Sequence, residues 1–335
     1  MNLALSGRKS GCILILACAF LSSWVGAQTC QTAADLEEAT KSAVTAAGQR
    51  YFDMASKGDV ASLRQNAIPS LASSFAGIEA TVRDHQSDLA GGQATVKSAF
   101  VLESPNPPAA DGEFYCGVFG KNGQTANSAV FYLNSLPSGK YAVILLDANS
   151  AKGRTMFTEI LQLMGSDWKL GGLYIKAAQA AGHDSDWYLA RAREYKTKGQ
   201  LHNAWFYFVE GRNLVSPLNF MSTLATDKLY DESQTAQQTD IPAGGNTVEL
   251  AAGTTKYTIV SMFPEVVGND LDLIVKYQVA DASNSNEAYQ SNVVVIKAVV
   301  TKYPELRDAF AGIVGRAVDP SGRDYGTLLA MKDIK

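Results

Sequence analysis

Histidine is scarce in this chain, with three in 335 residues. Imidazole is the usual general base near neutral pH and a frequent zinc ligand, so both chemistries are left with few candidates. Compact catalytic signatures are missing too. The sequence holds no Gly-x-Ser-x-Gly elbow, no phosphate loop ending in Gly-Lys-Ser/Thr, no His-Glu-x-x-His and no Gly-x-Gly-x-x-Gly fingerprint. Carboxylate chemistry survives these absences, because it has no compact motif. A basic excess is also lacking: 29 Lys+Arg stand against 33 Asp+Glu, a formal net charge of −4. That balance argues against a nucleic-acid partner, which calls for a basic face. Beyond the N-terminal segment no apolar run approaches the roughly 20 residues of a membrane span. What is present is ordinary globular material, 46% hydrophobic, with length for two or three domains.

The first residues have the order of an export signal. Arg8 and Lys9 are the only charges before Asp35, the run 12–21 is apolar, and Val25, Gly26 and Ala27 are small. A charged start, a short apolar centre and a small-residue exit predict a cleaved signal peptide over 1–27 and a mature chain beginning near Gln28, periplasmic or secreted. An uncleaved anchor would need a longer run. A lipoprotein form at Cys18 would place the bulky Leu16 in the attachment box. Cys12 and Cys18 leave with the signal. Cys30 and Cys116 remain, and an even pair in an oxidising compartment favours a disulfide, with two unrelated buried thiols as the alternative. Two cysteines without a nearby histidine make a poor zinc set, so no metal and no cofactor are expected.

Four further segments follow. Residues 28–180 predict helices and then an antiparallel meander, an α+β domain. Leu36, Ala39, Ala43, Val44, Ala47, Tyr51 and Met54 recur at helical spacing, with Thr32 and Asp35 as a capping pair for a helix over 32–57. Gly58 ends it, and Asp59 caps a short helix with Val60 and Leu63. Strands are expected over 99–103, 113–119, 128–134, 140–147, 155–164 and 168–176. The segment 181–232 is helical, 233–246 is polar and expected to be a linker, and 247–335 predicts a smaller α+β domain. In that last part Leu271, Leu273, Val275, Tyr277 and Val279 alternate as a strand. Tyr289, Val293, Ile296, Val300 and Tyr303 form a helical stripe, and the turn 319–322 joins two final strands.

Two resemblances sharpen this reading. The stretch YFDMASKGDVASL at 51–63, with Pro69 after it, resembles the opening of cystatin-like cone domains, the superfamily of nuclear transport factor two and the ketosteroid isomerases. The resemblance implies a curved sheet wrapped around helices, with an interior able to hold a ligand or a catalytic acid. Asp53, His85, Tyr115 and Glu159 are the candidate interior groups. A buried carboxyl beside a tyrosine suits proton abstraction next to a carbonyl. Against that, Asp53 sits beside the apolar stripe and His85 lies in a charged run, both consistent with solvated faces. Ala192, Tyr195, Gly199, Ala204, Phe208 and Gly211 resemble a single tetratricopeptide helical hairpin, which must pack on a neighbour to bury its face. That family binds peptides along its first helix. Arg193 and Lys196, three apart on one face, are therefore candidate ligands for an acidic partner or a peptide carboxylate, with a solvated basic face as the plain alternative. Trp205 and Tyr207 are either recognition aromatics or core. His183, Asp184 and Asp186 suggest a metal only weakly, and Asp184 serves equally as a helix cap.

These observations predict an exported, non-catalytic envelope or secreted protein that binds a protein, peptide or small molecule. The competing expectation is a small-molecule isomerase, dehydratase or hydrolase using the interior of the first domain. A third is a scaffold subunit with no ligand of its own.

Overall fold

The computed structural model describes residues 28–108, 112–119 and 123–335, so the expected signal segment 1–27 lies outside the described residues. Strand β1 (Thr29–Thr32) comes first. The Thr32 N–H and hydroxyl both donate to Asp35 Oδ2, at 3.0 and 2.6 Å. This pairing closes a turn instead of capping a helix, and α1 runs only from Glu38 to Ser56. Its buried side carries Val44, Ala47, Gly48, Tyr51, Phe52 and Ala55, steps of three and one that make a stripe. Gly58, at φ +68°, lets the chain leave the helix. Asp59 then accepts the Ser62 N–H at 3.0 Å and caps α2 (Val60–Gln65), as its position in sequence predicts. Short helices α3 (Pro69–Ser73), α4 (Ala76–Asp84) and α5 (Gln86–Leu89) complete a helical layer.

Strands β2 (Gln93–Ser104), β3 (Glu113–Cys116), β4 (Ala129–Tyr132), β5 (Gly139–Ser150), β6 (Gly153–Met164) and β7 (Asp167–Ala177) follow. The expected meander is interrupted. The main sheet has the order β1-β2-β5-β6-β7, all antiparallel, and β3 and β4 leave it. Alternation along the strands then builds two cores. Ala99, Val101, Ala142, Ile144, Phe157 and Leu161 pack beneath the helices. Phe100, Leu102, Tyr141, Val143 and Leu145 face the other way and meet Phe114 and Phe131 of β3 and β4.

The second half continues with the strand pair β8 (Gln179–Ala180) and β9 (His183–Asp184), then α6 (Ser185–Thr197) and α7 (Leu201–Asn213), an antiparallel hairpin. Residues 221–223, expected in a helix, form strand β10 (Met221–Thr223), which pairs with β4 and completes a small sheet in the order β10-β4-β3. Helix α8 (Leu224–Gln234) follows. The rest comprises β11 (Val248–Ala252), β12 (Thr255–Val267), β13 (Asp270–Gln278), α9 (Ser285–Lys302), a 3-10 turn at Pro304–Asp308, β14 (Gly312–Val318) and β15 (Asp324–Ala330). These five strands form one sheet in chain order, with β13 and β14 parallel across the α9 crossover. The architecture is mixed α+β, and among the described residues no helix is long and apolar enough to cross a membrane.

The hairpin and the C-terminal sheet share one core. Tyr188, Ala192, Ala204 and Phe208 belong to the same cluster as Leu273, Val275, Ile296 and Ile313. Polar ties reinforce it: Tyr195 Oη donates to the Asp308 carbonyl at 2.7 Å and Tyr207 Oη to that of Ala309 at 2.6 Å. The segment 233–246 is fastened to this core as well. Ala236 and Ile241 are buried, and Tyr303 Oη donates to the Asp240 carbonyl at 2.7 Å. The His202 ring lies between Glu305 Oε1 at 2.6 Å and Asp240 Oδ1 at 2.9 Å. A lone helical pair exposes too much apolar face to stand free, so it docks onto the sheet and takes the polar segment with it.

Helices α6 and α7 touch at Gly211, where an added Cβ would lie 2.8 Å from Leu189 Cδ2. Gly211→Val is expected to lower stability by about 1–3 kcal/mol in urea unfolding through overpacking.

Cys30 and Cys116 form a disulfide that joins β1 to β3 over 86 residues of chain, with Cα atoms 4.7 Å apart. The bridge is compatible with an oxidising, exported setting. Replacing both cysteines by alanine is expected to cost about 2–4 kcal/mol, measured as a lower denaturation midpoint.

Candidate functional site

Of the four interior candidates, the fold brings one inside. Glu159 sits on β6 between Phe157 and Leu161, beneath the helical layer, and is fully buried. Neither of its carboxyl oxygens has a hydrogen-bond partner among the described residues. Burial pushes its pKa well above the ordinary carboxylate value, and the charge of Arg50 opposes this only in part. Helix α1 packs directly on it: a Cβ added at Gly48 would lie 3.3 Å from Glu159 Oε2 and 3.0 Å from Ile144 Cγ2. The neighbouring Tyr51 hydroxyl is shared between the carbonyls of Asn66 and Trp168, at 3.0 and 2.9 Å. The other three candidates lie elsewhere. Asp53 is exposed and accepts from Gln49 at 3.1 Å. His85 pairs with Asp88 at 3.1 Å. Tyr115 is exposed on β3 and bonded to Glu113. Tyr115 is thus not beside Glu159, and the nearby Tyr51 hydroxyl is engaged by backbone carbonyls.

On the hairpin, Arg193 and Lys196 share one face of α6, and that face is turned to α8. The Arg193 guanidinium grips Glu232 with two bonds, 2.7 and 2.8 Å, and this pairing holds the Glu232 carboxyl below its usual range. Lys196 Nζ donates to Thr235 Oγ1 at 2.6 Å. An internal carboxylate thus occupies the fork. Tyr207 is core, while Trp205 is only partly covered. Asp184 caps α6 by accepting the Trp187 N–H at 3.1 Å, and the His183 ring stacks on Trp187 with centroids 3.7 Å apart. Among the described residues no group of three or more His, Cys, Asp or Glu is placed to hold a metal ion.

A partly enclosed depression lies where the sequence offered no signal. A cleft of about 240 Å³ opens between the outer face of the main sheet and the chain that follows α7. Phe100, Leu145 and Met156 come from β2, β5 and β6, while Val215, Pro217 and Met221 close the opposite wall. They are there because alternation turns these positions away from the helical layer, and because β10 pairs with β4 and carries Met221 across. Thr158 of β6 also lines the cleft. At the lip, Asp147 stands 3.7 Å from Lys97, and Arg154, which is not part of the lining, reaches the same carboxylate at 3.7 Å. The result is a largely apolar pocket with Lys97 at its mouth, the carboxylate beside it shared with Arg154. Ligand sites favour such junctions between units of structure.

The joint beside the cleft is polar. Lys176 Nζ donates to the carbonyls of Asn213 and Ser216 at 3.2 and 2.8 Å, tying β7 to the end of α7. Burial, then the nearby Glu265, raises the Glu210 pKa to about 7, while Lys176 acts in the opposite direction.

Comparison of the chain with protein-family models, with curated proteins and with solved structures finds no match.

Proposed function

We propose that this is an exported binding protein without catalytic activity, whose cleft between the main sheet and β10 holds a small molecule with an apolar body and one negative charge. On this reading the first unit is of the cystatin-like kind, α6 and α7 are a tetratricopeptide-like pair, and residues 1–27 direct export. The observation that carries the reading is the cleft itself: an apolar recess of about 240 Å³ with Lys97 at its mouth, whose partner Asp147 is shared with Arg154. Its volume lies just below the common range of about 300–1,000 Å³ for ligand pockets, which points to a compact guest such as a short-chain or aromatic monocarboxylate.

Calorimetric titration with octanoate, octanol and octylamine tests this. Octanoate is expected to bind best. Met156→Trp, which fills the recess, is expected to weaken it at least about tenfold, and Lys97→Glu to remove the preference over octylamine. Equal binding of the three probes, or no change with Met156→Trp, contradicts the proposal.

The rival reading is catalysis within the first unit. Glu159 supports it, as a buried, unpartnered carboxyl with a raised pKa is what a general acid requires. The dispersal of Asp53, His85 and Tyr115 weighs against it, as does the packing of α1 on the carboxyl.

A further inference from the structure

The C-terminal sheet ends on β11, whose outer edge has no neighbouring strand among the described residues. A two-residue turn, Gly253 at φ +64° and Thr254, joins β11 to β12, and the register from Ala252↔Thr255 to Val248↔Ile259 has no bulge. In such a hairpin the residues flanking the turn exchange hydrogen bonds, and the pairs alternate from there. Val248, Leu250 and Ala252 therefore direct their backbone groups to β12. Glu249 and Ala251 direct theirs outward, leaving two N–H and two C=O groups free.

Natural edges are usually guarded by lysine, proline, a bulge or a covering loop. Strand β11, with the sequence VELAA, has neither proline nor lysine. Its one charge, Glu249, is held by Lys256 of β12 at 2.8 Å. Helix α9 and this edge together line a slot of about 550 Å³ that includes Glu249, Ala251, Val294, Lys297, Ala298 and Thr301. Val294 is 41% exposed, a large apolar side chain left uncovered on the slot's wall. The slot's charge is positive. Among the described residues Lys297 has no carboxylate partner, and Lys302, which also lies over the Tyr303 ring, has Asp240 as its carboxylate at 3.9 Å, one that His202 already engages. In a chain of net charge −4 this is a local reversal. The slot shares no lining residue with the cleft described above.

We propose that β11 and α9 receive an extended acidic peptide segment of another protein as a sixth strand. Backbone bonds to Glu249 and Ala251 would supply the pairing. Apolar side chains of the peptide would lie under Val294 and Ala298, and its carboxylates would meet Lys297 and Lys302.

A displayed library of random decapeptides, selected on the full-length protein, tests the proposal. Selection is expected to enrich sequences that alternate β-branched residues with Asp or Glu. The best of them, synthesised, is expected to slow amide exchange at Glu249 and Ala251. Ala251→Pro removes an outward N–H without breaking the β11–β12 ladder; it is expected to keep the melting temperature and weaken the peptide at least about tenfold. Lys297→Glu, on the exposed side of α9, is expected to weaken it similarly and keeps the test decisive should the proline variant misfold. Enrichment of basic or proline-rich sequences, the absence of any enrichment, or unaltered binding by Lys297→Glu would overturn the proposal. Concentration-dependent self-association that protects the same two amides would also overturn it, by assigning the edge to a second copy of the chain.

Discussion

Glu159→Gln is expected to be more stable than the parent protein at neutral pH, by a margin that grows as pH rises. The parent carboxyl is fully buried without a hydrogen-bond partner among the described residues, and its pKa is raised in the folded state. The folded chain therefore holds this proton more tightly than the unfolded chain does. Below the ordinary value near 4.5 both states are protonated and the site costs nothing electrostatically. As pH rises from there toward the folded pKa, the unfolded state alone loses the proton, and the parent loses about 1.4 kcal/mol of stability for each pH unit. Glutamine has no proton to lose, so the variant escapes that slope. Glu210 imposes a slope of the same sign between about 4.5 and about 7, but it does so in both proteins, and the difference isolates Glu159. Urea unfolding at pH 4, 6 and 8 measures it. Parallel curves would mean that the Glu159 carboxyl is solvated or paired in solution.

A chain ending at residue 246 is expected to lose the structure of everything after β7 while keeping the first unit. Such a truncation removes the sheet against which α6 and α7 pack, together with the carbonyl partners of Tyr195, Tyr207 and Asn203, at Asp308, Ala309 and Glu305. Each hydroxyl or amide left buried without its partner costs about 1–3 kcal/mol, and the apolar loss adds to that. Two-dimensional NMR of the truncated chain should show dispersed signals for residues 28–177 and collapsed ones for 180–246. A folded hairpin in that fragment would mean that it is an independent module.

These expectations also mark where the sequence was informative. Strand-like periodicity located the strands from 140 to 176 within a few residues, because β5 has a different core on either face and β7 buries Trp168, Leu170, Leu173 and Ile175 on one. Asp59 was readable as a cap because the interaction spans only three residues. The start of α1 was misplaced by the same kind of local signal: Thr32 and Asp35 carry the right side chains for a cap but use them in a turn. The segment 233–246 looks like a linker because it is polar, yet Ala236 and Ile241 anchor it and His202 holds Asp240 from 38 residues away. The spacing of Arg193 and Lys196 put them on one helical face, but Glu232, 39 residues from Arg193, could not be inferred from that spacing. The cleft had no signal at all. Its walls are drawn from many separate elements between Lys97 and Thr226, and only the pairing of β10 with β4 brings them together.

The central claim is that the ligand occupies this cleft and not the space beneath the helical layer. Methyl NMR separates the two directly, since Met156 and Met221 line the cleft while Ile144 packs near Glu159. Titration with octanoate is expected to shift the Met156 and Met221 methyl signals along one saturating curve and leave that of Ile144 unmoved. A saturating shift at Ile144 with still signals at Met156 and Met221 would contradict the account and place the binding site beside Glu159.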